Sequence, residues 1–330
     1  MKVLVTGGAG YIGSVVTQRL AARGHEVVVV DDLSTGYRDN VPSDVEFHQL
    51  SIHKVDRVLT PGAGFDGVLH LAAKAQVAES VARPDLYWNT NVAGSLALLS
   101  AVRAAGTPRL IVSSTCSIYA DAGPAPLTED NVVQPASPYA ASKLMVDMLL
   151  AAEAKAFGLA AVSLRYANAA GAVGGLGERH LPESHLIPML LQVAGGQRRR
   201  LIIHGTDYPT RDGTCVRDYI HVDDLASAHL LALQAAEPRR HAIYNLGSGD
   251  GYSNAEIIEA VRVVTGRTVP VSDGQRRDGD AVATIVSNER ARRELGWMPS
   301  HTELYGIVRD AWQFYLARLG TKGYHRGGLE

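Results

Sequence analysis

The chain has 330 residues, 46% of them hydrophobic, with 32 Lys and Arg against 34 Asp and Glu. That length suits two domains with a sizeable core, and a formal net charge of −2 gives no electrostatic case for nucleic acid or a membrane surface. Two distant cysteines, Cys116 and Cys215, match no zinc or CxxC spacing; with no leader-like N-terminal run and no apolar run near the roughly 18 residues of a membrane span, a cytoplasmic protein without a metal is expected.

From the N-terminus, the apolar run Lys2–Thr6 leads into Gly7-Gly8-Ala9-Gly10-Tyr11-Ile12-Gly13-Ser14 and a helical pattern over Tyr11–Arg23. Strand, glycine turn and helix start allow close backbone approach to a pyrophosphate, and the helix N-terminus offers it amide donors and positive dipole. Gly7, Gly10 and Gly13 are the candidate positions. Glycine turns after strands are common, so the motif needs support. The next strand, Glu26–Val30, supplies it by ending in Asp31-Asp32, about 20 residues after the turn. An acidic side chain there accepts hydrogen bonds from an adenosine ribose and repels a 2′-phosphate, which favours NAD over NADP. An Asp31 that only caps a turn is the competing reading.

Further strands are predicted at Gly67–His70, Leu110–Ser113 and Ala161–Arg165, and helices over Val92–Ala105 and Tyr139–Phe157. Short apolar runs alternating with longer amphipathic ones predict an α/β chain: a Rossmann, doubly wound parallel sheet covered on both faces. Ser113-Ser114-Thr115 closes a strand. Tyr139 and Lys143 stand four apart on one helix face. A phenol with pKa near ~10 is too weakly acidic to serve as a base at neutral pH. A neighbouring ammonium, and the positive charge of oxidised nicotinamide, would favour the phenolate. Tyr139 is therefore the candidate base for a hydroxyl proton that departs as hydride leaves the same carbon.

The second half is less regular. Gly171–Pro182 reads as a surface loop, Glu183–Ala194 as a helix, and Arg198-Arg199-Arg200 as a solvated turn. A helix over Asp223–Gln234 is expected to be capped by Asp223. His241–Leu246 reads as a strand and Asn254–Thr265 as a helix. These elements predict a second, smaller mixed α/β substrate domain, with the chain crossing back between the two. Residues 1–170 plus 217–249 would bind the dinucleotide, and residues 171–216 plus 250–330 the substrate.

Three segments carry a resemblance: Thr6-Gly-Gly-Ala-Gly-Tyr-Ile-Gly-Ser14, Ser137-Pro-Tyr-Ala-Ala-Ser-Lys143, and Asp207–Val222. Through them the chain resembles the extended short-chain dehydrogenase/reductase family, and within it the UDP-glucose (UDP-galactose) 4-epimerases, over nearly its whole length. The third segment has no counterpart in general dehydrogenases. The resemblance implies NAD-dependent epimerisation at C4 of a UDP-hexose through a transient 4-keto sugar. It implies Tyr139 as base, Lys143 on the nicotinamide ribose, and Thr115 on the reacting O4. NAD contacts are implied at Gly7, Gly10, Tyr11, Ile12, Gly13, Asp31, Asp32, Ser51, Ile52, Lys74 and Asn91. Contacts to the UDP-sugar are implied at Thr115, Asn168, Leu186, Arg217, Arg277, Asp280 and Thr284. Chemistry agrees for the arginines, since a diphosphate calls for fixed cations, although each alone reads more readily as a surface ion pair. A homodimer is also implied, through the helices near Val92–Ala105 and Tyr139–Phe157.

Four departures from the family pattern matter. Leu50-Ser51-Ile52 replaces Gly-Asp-Ile, removing a carboxylate from the adenine side. Ala167 stands where phenylalanine is usual, opening volume beside the site, and Ala120 replaces a glycine. Cys116 and Ser117 follow Thr115, where sugar-nucleotide 4,6-dehydratases carry an acidic pair, so that elimination lacks its acid and base. Thr284 stands where a bulky tyrosine excludes 2-acetamido sugars, so UDP-GlcNAc and UDP-GalNAc are expected substrates too. The alternatives are a UDP-uronate 4-epimerase, an epimerase of a modified sugar, and a non-catalytic NAD-binding regulator. A regulator usually lacks the tyrosine or the lysine, and both are present.

Overall fold

The computed structural model describes residues 1–120, 123, 125–277 and 280–321. Seven parallel strands make the central sheet: β1 (Lys2–Thr6), β2 (Glu26–Asp31), β3 (Glu46–Gln49), β4 (Gly67–His70), β5 (Arg109–Thr115), β6 (Ala160–Tyr166) and β7 (His241–Leu246). Their order is β7-β6-β5-β4-β1-β2-β3. Connections turn in opposite directions from β1, so a crevice opens at the carboxyl ends of β1 and β4, where doubly wound sheets bind ligands.

Strand alternation sends side chains to two separate cores. Val3, Val5, Val27 and Val29 enter one; Leu4, Val28 and Val30 enter the other. α1 (Tyr11–Ala22) and α5 (Val222–Ala235) cover the first face, and α2 (Gly94–Ala105) and α3 (Pro138–Phe157) the second. A third core joins α4 (Leu186–Ala194), α6 (Asn254–Thr265) and α7 (Leu304–Thr321) to the parallel pair Leu201–His204 and Val271–Gly274. Among the described residues no helix is long and apolar enough to cross a membrane.

α3 shows why the sequence folds this way. Ser137 Oγ accepts from the Ala140 amide at 3.2 Å, Pro138 occupies the first turn, and Gly158 ends the helix at φ 79°. Its buried positions Ala140, Lys143, Asp147, Leu150 and Ala154 recur every three or four residues.

Three local expectations change. α4 starts at Leu186, not Glu183, because the Glu183 carboxylate folds back onto the amides of Ser184 (2.7 Å) and His185 (2.8 Å). α5 is capped by the His221 ring, which accepts from the Asp223 amide at 3.1 Å; Asp223 instead holds Arg19 through two bonds of 2.6 Å. The expected loop after Gly171 contains an antiparallel hairpin, Ala172–Val173 with Leu176–Gly177, turning on Gly174 and Gly175 at φ 57° and 79°.

Candidate active site

The glycine turn after β1 is sterically closed. A Cβ on Gly13 would run into the Gly7 carbonyl, and Gly7, at φ 76°, would place one against the backbone of Ala72. Gly10 caps α1 without a side chain, and no acidic residue stands in the first helical turn, so the positive end of α1 is left to an external anion. Tyr11 is buried and donates to the Gly171 carbonyl at 2.7 Å, tying α1 to the second half of the chain; Ile12 packs on the first core.

Asp31 closes β2 and braces the turn. Its carboxylate accepts from the amides of Ala9 at 2.9 Å and Leu33 at 2.8 Å. Burial pulls its pKa above the ordinary carboxylate value, and these two bonds oppose the rise. The turn-bracing role is therefore present. Asp32 is exposed and accepts from the Ser34 amide. Ser51 caps a short helix, and Ile52 is buried in the second core against Gly94. Asn91 lies in a π-helical turn and holds the main chain of Lys74 through bonds of 2.8 and 3.0 Å, while donating to Ser142 Oγ at 2.9 Å.

The strand-end and helix signals meet at the carboxyl edge of the sheet. Thr115 is the last residue of β5, opposite Tyr166 of β6. Tyr139 and Lys143 approach from the first turns of α3. Thr115 Oγ1 donates to Ser117 Oγ at 3.1 Å, and its hydroxyl is close enough to the Tyr139 phenol to favour the phenolate. Lys143 Nζ is buried and donates to the Ser113 carbonyl at 2.8 Å. Burial brings its ammonium down to about 8, with the Asp147 carboxylate opposing the fall. The Tyr139 phenol is driven well above its ordinary value, first by burial and then by Tyr166; the Thr115 hydroxyl works the other way. The lowering expected from Lys143 is thus not seen in the protein alone, because its ammonium is aimed at the strand and not at the phenol. Ser114 Oγ, one residue before Thr115, is buried without a hydrogen-bond partner among the described residues.

A second group lies on short strands. Val216–Arg217 pairs with Ala283–Thr284, which sets Arg217 beside Thr284, and Asp280 lies 3.7 Å from the guanidinium. Asn168 reaches the same strand, its side chain donating to the Asp218 carbonyl at 3.0 Å. Leu186 begins α4 and packs on the third core. Arg277 is exposed, its carbonyl accepting from the Asp280 amide at 3.3 Å. Two residues on from Thr284, Val286 packs with Cys116, Ala140 and Ala167, so this strand runs up to the Tyr139 group.

Asp218 was not singled out by sequence, yet it ties the halves together. Its carboxylate accepts from the Ser248 amide and hydroxyl and from the Val286 amide, and burial raises it to about 6. Only its place inside the Asp207–Val222 segment hinted at this.

Glycine turn, ribose-side carboxylate and a Tyr–Lys pair beside a strand-end threonine define a dinucleotide-dependent oxidoreductase-type Rossmann enzyme. A family model described as the NAD dependent epimerase/dehydratase family matches residues 3–247, and the chain belongs to that family. A UDP-glucose 4-epimerase of Corynebacterium glutamicum is 50% identical over 325 residues, 98% of each chain. A UDP-glucose 4-epimerase from Stenotrophomonas maltophila, solved with NAD and formylated UDP-arabinopyranose, superposes with a TM-score of 0.93 at 40% identity, covering 97% of this chain and 99% of that one. A UDP-Glc/GlcNAc 4-epimerase from Campylobacter jejuni gives a TM-score of 0.83 at 33% identity, with coverage of 96% and 99%.

The residues present fit NAD. The turn leaves no space for side chains where a pyrophosphate would approach, and the end of α1 carries no carboxylate of its own. The orphaned Ser114 hydroxyl sits at the strand end, one residue before Thr115.

Proposed function

We propose that the protein epimerises C4 of a UDP-hexose, interconverting UDP-glucose and UDP-galactose. The observation that carries this reading is the convergence of Tyr139, Lys143 and Thr115 at the sheet edge next to the glycine turn. NAD held by these residues would supply reversible hydride acceptance at C4, so the cycle would have no net redox change. Tyr139 takes the proton from O4 and later restores it. Thr115 lies close to that phenol and orients O4 toward it. Lys143 holds positive charge beneath the site and binds the nicotinamide ribose. Gly7, Gly10, Tyr11, Ile12 and Gly13 receive the pyrophosphate, and Asp31 with Asp32 the adenosine ribose. Ser51, Ile52, Lys74 and Asn91 line the rest of the dinucleotide path. Arg217, Arg277 and Asp280, with Asn168 and Leu186, hold the UDP while the sugar presents either face. On this reading residues 1–170 plus 217–249 serve NAD, and residues 171–216 plus 250–330 serve the nucleotide sugar.

The test is incubation with UDP-galactose, without added nucleotide, followed by NMR. UDP-glucose should accumulate to equilibrium, with NAD carried by the purified protein. No product, even after NAD is supplied, would overturn the reading.

Thr284 sets the sugar range. It is half-buried beside Arg217, and a threonine leaves volume that a tyrosine would fill. UDP-GalNAc should therefore turn over in the wild type, and Thr284→Tyr should suppress it at least tenfold while sparing UDP-galactose. Parallel progress curves on the two sugars check this; an inactive wild type on UDP-GalNAc would reject the open pocket.

The chain is further proposed to act as a cytoplasmic homodimer. Two buried unpaired thiols suit a reducing compartment. Leu96 on α2 and Met145 and Met148 on α3 are 48%, 43% and 65% exposed, more apolar surface than one solvated helix pair needs. Light scattering should give twice the chain mass, and Met148→Glu should shift it to a monomer.

A further inference from the structure

Between the hairpin after Gly171 and α4, two imidazoles and a carboxylate converge. One ligand atom each from Glu178, His180 and His185 lies within 4.8 Å of the others. The Glu178 side chain is 10% exposed, and its Oε1 is in close contact with His180 Nδ1. Both atoms are buried, and neither makes a hydrogen bond of acceptable geometry with any described group. The other Glu178 oxygen is 3.8 Å from His185 Nδ1, and Glu183 adds a second carboxylate at 2.9 Å from that nitrogen. Arg179, the nearest basic side chain in sequence, turns away onto Asp39 at 2.7 Å and Asn40 at 2.8 Å.

We propose that Glu178, His180 and His185, with Glu183 beside them, form a binding site for a first-row transition cation of the zinc class. Imidazole nitrogens with carboxylate oxygens suit zinc, cobalt or nickel, whereas magnesium and calcium prefer oxygen alone. The backbone that carries the donors is tethered by contacts to its carbonyls. Tyr37 donates to the Arg179 carbonyl at 3.0 Å, and Gln76 donates to the Pro182 carbonyl at 3.1 Å.

The position of the site gives the ion a task. Tyr37 and Asn40 belong to the turn after Asp31, Gln76 follows Lys74, and the Tyr11 phenol at the start of α1 feels both Glu178 and Glu183. A cation here would fasten residues 178–185 across the dinucleotide path and slow NAD release; this consequence, unlike the site, rests on the NAD reading.

The experiment uses the untagged full-length protein, stripped with chelator, incubated with zinc chloride, gel-filtered and analysed by atomic emission. The wild type should retain one zinc per chain. His180→Ala/His185→Ala should retain none, and His180→Gln, which keeps a polar side chain in place, should bind at least tenfold more weakly with an unchanged circular dichroism spectrum. No zinc in the wild type, or equal zinc in the double variant, overturns the site. NAD release, followed by fluorescence, should slow with zinc in the wild type only. Unchanged release with one zinc bound would overturn the fastening role. Protein that binds zinc but never NAD would instead overturn the proposed function.

Discussion

Replacing Tyr139 with Phe should lower kcat on UDP-galactose by about 10²–10⁴-fold, the usual contribution of a positioned acid–base group. The change removes one oxygen and little volume. Tyr139 packs edge-on against Tyr87, with ring centroids 6.3 Å apart, and phenylalanine keeps that contact. Folding and NAD content should therefore be retained, which separates a chemical loss from a structural one. KM should move little, because the phenol acts on a proton in flight and not on the UDP anchor. In the protein alone the phenol is held neutral, chiefly by burial. Activity thus depends on positive charge that the protein alone does not bring to the phenol, since the Lys143 ammonium is aimed at the Ser113 carbonyl. Pre-steady-state mixing with UDP-galactose should show no transient absorbance near the reduced-nicotinamide band in the variant. A Tyr139→Phe enzyme that keeps most of its rate would transfer the base to another group.

The largest effect on stability is expected at Asp147. It is 4% exposed and pairs with Arg165, 5% exposed, at 2.9 Å, and it also accepts from Ser163 Oγ at 2.6 Å. Arg165 in turn donates to the Tyr119 hydroxyl, which donates to Asn245 at 2.7 Å, so the ion pair anchors a chain of bonds across β6 and β7. Asp147→Ala strands the guanidinium in the interior and should cost about 3–5 kcal/mol. Arg165→Met in the same background should recover part of that loss, since it removes the unpaired charge. Denaturant titrations of the two single variants and the double variant give the cycle. The change reaches the site as well. Asp147 opposes the depression of Lys143, so its loss should lower the ammonium pKa further and reduce activity at the alkaline end first. A cost below ~1 kcal/mol would mean that water already reaches the pair.

The central strands were legible because each is a short, largely apolar run buried on both faces, as Val27–Val30 shows. β3 was not. Only Phe47 in Glu46-Phe47-His48-Gln49 is apolar, and an edge strand needs polar side chains more than it needs a pattern. Leu201–His204 was hidden by its length and by the three arginines before it. Tyr139, Lys143 and Thr115 could be found because helix and strand geometry translate their spacing into proximity. The Asp218 junction and the Glu178 cluster could not. One gathers donors from residues 248 to 286, and the other depends on how a connecting segment folds back on itself.

The closeness of Gly13 to the Gly7 carbonyl divides the molecule into a fixed part and an adjustable one. At Gly7 and Gly13 any side chain collides with main chain, so no series of small substitutions at those positions leads away from the present shape. The half proposed to face the sugar holds Thr284 on a two-residue strand beside Arg217, where it can change size without moving a backbone atom of the turn. A chain built this way can exchange one hexose for another over successive generations while its redox cradle stays still.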